Sequence, residues 1–130
     1  MRRIAACFLL IFLVLGVTAC NTKTPNGTTQ NTVTYTKEFS YLPAYGNMEY
    51  QSLTETNQGQ TARYLIKNTT VDKVLTGYGD ILKTDGWTLN WSYTKDKKPA
   101  SLVAQKDNHT VALLPRQDNK DVLLIVSVPK

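Results

Sequence analysis

Residues 70–93 read TVDKVLTGYGDILKTDGWTLNWSY, and the apolar period changes within this one stretch. Val71, Val74, Leu75, Tyr78, Ile81 and Leu82 recur at helical spacing and form a single stripe, which predicts a helix from about Thr70 to Thr84. Thr69 with Asp72 three residues later resembles a capping box at its start. Lys83 in the last turn and Gly86 beyond it suit the C-terminal end. Gly77 and Gly79 each cost about 1 kcal/mol relative to alanine inside a helix. They flank the stripe, so their expected role is close packing, not a phosphate loop. After Gly86 the period drops to two: Trp87, Leu89, Trp91 and Tyr93 alternate with Thr88, Asn90 and Ser92. A helix running straight into a half-buried strand sets the fold class.

Outward from this core the rest of the chain reads as strands. Leu102 and Ala104 follow a turn at Lys95 to Pro99, and Val111 and Leu113 follow Asp107-Asn108. Val122, Leu124, Val126 and Val128 close the domain. Upstream, Met48 to Thr54 and Gln60 to Ile66 form two strands around a polar turn. Val33, Tyr35, Phe39 and Tyr41 suggest one more, interrupted at Lys37. Short polar turns favour antiparallel neighbours. One helix covers one face, so the expected class is α+β: a two-layer sandwich of one main helix on a largely antiparallel sheet of five to seven strands.

The N-terminus is of another kind. Arg2 and Arg3 precede an apolar run, Ile4 to Val17, that is short for a bilayer span of about 20 residues. Val17-Thr18-Ala19-Cys20 follows. This tetrad resembles the lipobox of bacterial lipoproteins: an aliphatic residue, two small residues, then cysteine. The resemblance implies a diacylglyceryl group on the Cys20 thiol, cleavage after Ala19 and acylation of the new amine. Two or three acyl chains anchor firmly where one anchors marginally. The expected organisation is therefore a cleaved signal at 1–19, a lipidated cysteine with a flexible tether at 20–32, and a single α+β domain at 33–130. The tether, NTKTPNGTTQNT after Cys20, has no large apolar residue with which to offset its ordering entropy. Its r.m.s. reach is roughly 20 Å.

Removing the first 19 of 130 residues leaves 111, with Cys20 their only cysteine, so no intramolecular disulfide can form in the mature chain. Loss of Arg2 and Arg3 lowers the formal charge from +5 to +3. The lysines are scattered apart from Lys95, Lys97 and Lys98, which read as a solvated turn.

From Leu42 onward the chain resembles a recurrent domain of small exported bacterial proteins. The opening is Leu42-Pro43-Ala44-Tyr45-Gly46, followed by a hairpin and a helix. An aromatic…leucine…Gly-Trp element (Tyr78, Leu82, Gly86-Trp87) ends the helix before a strand-rich tail. The resemblance implies an α+β fold and an envelope address, and it carries over no activity and no functional residue.

Candidate chemistry is sparse. His109 is the only histidine and adjoins a turn; Ser92, Ser101, Asp107 and His109 form a hydrolase set on paper but lack a nucleophile elbow. With Cys20 lipidated, one histidine cannot build an ordinary zinc site. Trp91 and Tyr93 are the candidate ligand contacts, as aromatics that can stack on a sugar or base. The expected protein is a non-enzymatic envelope lipoprotein without cofactor, metal or nucleic acid. Its partners are the membrane, through lipid on Cys20, and an envelope protein. The alternative is a small-ligand or glycan-binding module using the sheet aromatics. Asn21 is not the aspartate that resembles an inner-membrane retention signal, so the address is the outer membrane in a two-membrane host and the cell membrane in a one-membrane host.

Overall fold

The computed structural model describes residues 32–130; the signal segment, Cys20 and the tether up to residue 31 lie outside the described residues. Six strands and one helix follow in order: β1 (Glu49–Thr56), β2 (Gly59–Ile66), α1 (Val71–Thr84), β3 (Thr88–Tyr93), β4 (Pro99–Lys106), β5 (His109–Asp118) and β6 (Asp121–Pro129). They form one antiparallel sheet in the order β1-β2-β6-β5-β4-β3. A hairpin, β1–β2, thus meets a four-strand meander, and α1 carries the chain from β2 to the far edge. The α+β class is as expected, with six strands.

Register explains the core. Tyr64 lies opposite Leu124, Ala62 opposite Val126 and Leu113 opposite Val126. Leu102 faces Leu113, and Trp91 faces Leu102. All of these share one face of the pleat, and all except the partly buried Trp91 are buried with Val74, Leu75, Tyr78 and Leu82 of α1.

The helix ends show what local sequence did and did not specify. Its C-terminus is a Schellman motif. The Trp87 N–H donates to Leu82 O (2.9 Å), the Gly86 N–H donates to Lys83 O (3.1 Å), and Gly86 has φ +88°. At the N-terminus the cap is Thr70, not Thr69, and its hydroxyl makes no capping bond. Instead Gln117, on β5, accepts from the Val71 N–H at 3.2 Å and donates to Thr69 O at 3.1 Å. The cap comes from a residue 46 positions away, which no local pattern records.

Residues 33–41 do not form the expected strand. The chain doubles back, with Tyr35 bridging Pro43. The Thr36 hydroxyl donates to Phe39 O (2.8 Å) and accepts from the Phe39 N–H (3.1 Å). That turn sends Phe39 and Leu42 together into the core. The alternation was real, but a side-chain hydroxyl and Pro43 redirected it.

Gly77 and Gly79 do serve packing, through aromatic rings. A Cβ on Gly77 would lie 2.8 Å from the Tyr45 ring, and one on Gly79 would lie 2.6 Å from the Trp91 ring. Tyr45 in turn stacks on Tyr78, with centroids 5.6 Å apart.

Candidate functional site

The turned-back segment leaves a groove of about 270 Å³ against the β1 edge, lined among others by Tyr35, Lys37, Glu38, Met48, Tyr50 and Tyr64. Glu38 Oε2 accepts a hydrogen bond from the Tyr64 hydroxyl at 2.8 Å. Burial first, and the Glu38 carboxylate second, push the Tyr64 phenol far above its ordinary pKa, so it stays protonated and donates to Glu38. Tyr50 meets Tyr64 edge to face at 6.1 Å and is half exposed. A bulge places it there: Tyr50 pairs with Tyr64 but Ser52 with Arg63, so Gln51 is the extra residue. The lining thus brings together three tyrosine side chains, one carboxylate and one ammonium. No nucleophile–base pair lies there.

The sequence candidates sit elsewhere. Trp91 and Tyr93 are on β3, the opposite edge of the sheet from the groove. Trp91 is partly buried against Gly79 and stacks on Tyr93 at 6.5 Å, while Tyr93 is well exposed. Ser92 and Ser101 are cross-strand partners. His109 pairs with Lys106, near the other end of β4, and stacks on Tyr41 with centroids 3.7 Å apart. The serines and the histidine also point to opposite faces, so the hydrolase set is not assembled. Cys20 lies outside the described residues. Among those residues no cluster of three or more His, Cys, Asp or Glu could hold a metal ion. No helix among them is long and apolar enough to cross a membrane.

Asp85 ties the segments together. Its Oδ1 accepts from the Tyr35 hydroxyl (2.8 Å), and its Oδ2 accepts from Trp87 Nε1 (3.1 Å) and Lys106 Nζ (3.0 Å). An acid at a helix C-terminus is disfavoured by the dipole; three donors from three segments outweigh that. Partial burial pushes the carboxyl up, but the bonds from Lys106, Tyr35 and Trp87 prevail and hold it below the usual range. Asp85→Asn should therefore cost about 2 kcal/mol at neutral pH, allowing for solvent access. The folded carboxyl titrates below its unfolded counterpart, so its contribution is whole above about pH 4 and fades as pH falls through the folded pKa. Thermal unfolding of both proteins at several pH values checks this. A gap that stayed constant down to about pH 2 would remove the ionic explanation.

The other face of the sheet is built differently. Leu65, Leu123, Ile125, Val103 and Ala112 are half-buried there and Leu114 is exposed, with none in the buried cluster. Arg63 lies opposite Ile125 and Arg116 opposite Leu123, so each arginine has an aliphatic cross-strand neighbour on β6. Both arginines are exposed. The ion pairs among the described residues are Lys67–Glu49 and Lys106–Asp85, and neither uses an arginine.

No family model matches the chain, and comparisons with curated proteins and with solved structures return no match.

Sequence reasoning missed both the tyrosine groove and the aliphatic face. Tyr35, Tyr50 and Tyr64 have no periodic relation along the chain. Leu65, Leu123 and Leu114 lie at the outward positions of otherwise alternating strands, where their apolar character was the available signal.

Proposed function

We propose that this chain is a bacterial envelope lipoprotein, lipidated on Cys20, whose domain is a non-enzymatic interaction module. In this reading the domain is a two-layer sandwich with α1 and the turned-back segment over one sheet face. The observation that carries the reading is the second face. There, aliphatic side chains are interleaved with two arginines that form no ion pair among the described residues, on a domain preceded by an anchor and tether sequence. Surfaces of that composition are expensive to leave in water and are common at protein interfaces. The tether holds this face within a few nanometres of the bilayer, at the outer membrane of a two-membrane host or the outer side of a single membrane.

Metabolic labelling with an alkyne fatty acid tests the anchor. The wild-type chain should take up label, and Cys20→Ala should take up none and keep residues 1–19. An unlabelled wild-type chain would sink the lipoprotein reading. In-cell crosslinking tests the module: recovery of no partner beyond those caught by the anchor and tether alone counts against it.

The tyrosine groove favours a second reading, a small-ligand or glycan-binding module; Tyr93, exposed beside Trp91, is a second aromatic platform for the same chemistry. Calorimetric titration with cell-wall fragments should give heat that Tyr50→Ala abolishes, or that Tyr93→Ala abolishes if the β3 edge is the platform. No heat with any fragment would end this reading.

A further inference from the structure

We infer that the aliphatic sheet face binds an amphipathic helix of a partner protein carrying two carboxylates that pair with Arg63 and Arg116; this rests on the interaction-module reading and names its partner chemistry. Cross-strand register fixes the layout. One row runs Arg63, Ile125, Leu114, and the next runs Leu65, Leu123, Arg116. The arginines thus occupy opposite corners of a four-residue aliphatic patch. They are two strands and one pleat repeat apart, which separates their Cα atoms by about 12 Å. A helix rises about 1.5 Å per residue, so acidic residues at i and i+7 or i+8 span that distance with aliphatic residues between them.

Charge complementarity selects this occupant. Each arginine is exposed and lacks an ion-pair partner among the described residues. Forked guanidinium groups on an apolar floor bind carboxylates well, because the floor displaces water around the pair. A second copy would bring the same two cations to the interface. An anionic bilayer would meet Asp118 and Asp121, which pair at one end of this face, and Glu49, which lies opposite Leu65 at the β1 edge and is paired with Lys67. A separate partner's acidic, aliphatic helix is narrow enough to lie along the Arg63–Arg116 diagonal, so its carboxylates meet the two cations and not the acidic end of the face.

The full-length protein, purified from membranes and held in phosphatidylcholine nanodiscs, provides the test. The probe is a fluorescent helical peptide with Glu at two positions seven apart and Leu and Ile between them, with a Lys-for-Glu twin. The Glu peptide should bind about tenfold or more tightly than the Lys peptide, weakening as salt is raised. R63E/R116E should reverse the preference and R63K/R116K should preserve it; unchanged thermal unfolding shows that both variants are folded. Equal binding of the two peptides, or no reversal, overturns the inference. So does self-association of the wild-type protein that R63E/R116E abolishes, or arginine-dependent binding to phosphatidylglycerol vesicles in place of the peptide. The mass of the Cys20 peptide from the same preparation is read separately. Lipid on Cys20 with no peptide selectivity sinks this inference alone, and bare Cys20 with full selectivity sinks only the anchor.

Discussion

Tyr78→Ala is expected to cost about 4 kcal/mol, a large part of the roughly 5–15 kcal/mol typical of a whole domain. Tyr78 is fully buried at the centre of α1. Its ring stacks on Tyr45, and its hydroxyl donates to Pro43 O at 2.5 Å. One side chain therefore joins the helix, the core and the turned-back segment. Burial drives its phenol far above the ordinary pKa, so the hydroxyl remains a donor at any working pH. Alanine would open a cavity that flat neighbouring rings cannot fill, and would leave the Pro43 carbonyl without this donor. Tyr78→Phe separates the two effects. It keeps the packing, loses the bond, and should cost about 1–2 kcal/mol, or roughly 5–12 °C in melting temperature. A Phe variant as stable as wild type would mean that the bond to Pro43 contributes nothing.

Gly59→Ala should cost about 3 kcal/mol through the backbone alone. Gly59 opens β2 with φ +146°, a conformation nearly closed to residues with a Cβ. A Cβ there would overlap Val128 O and lie 2.9 Å from the Pro129 Cα. These are backbone atoms of β6, a strand inside the sheet, so no side-chain rotation relieves the clash. Gly86→Ala is the control. Gly86 is also left-handed, but its Cβ would meet only Lys106 Cε at 3.9 Å, so conformational strain of about 1 kcal/mol is all it should lose. Hydrogen exchange should show the β2–β6 amides opening in the Gly59 variant and not in the Gly86 variant. Equal losses for the two would refute the steric argument.

Much of this fold was legible residue by residue. The stripe from Val71 to Leu82 and the Gly86 cap are short-range features, and α1 occupies Val71–Thr84. Trp87 to Tyr93 and Val122 to Val128 alternate because one side of each strand is buried, and both lie within or adjoin observed strands. Where local pattern misled, a distant residue decided. Thr69 and Asp72 looked like a cap, yet Gln117 on β5 satisfies the Val71 N–H. Val33 to Tyr41 alternates like a strand, yet the Thr36 hydroxyl and Pro43 fold it over the core. Tyr50 and Leu53 are three apart, a spacing foreign to a regular strand, and the bulge at Gln51 reconciles it. The proposed binding face was the least legible part. Its aliphatic residues are spread over separate strands, and only register makes them neighbours.

By itself the sequence determined the helix, most of the strands and the antiparallel pairing of the hairpins, because each depends on residues a few positions apart. Tertiary structure alone decided that β6 inserts between β2 and β5, that Asp85 gathers Tyr35, Trp87 and Lys106, and that Arg63 and Arg116 flank one aliphatic patch. Periodicity records which side of a strand leaves water. It carries no record of which strand comes to lie beside it.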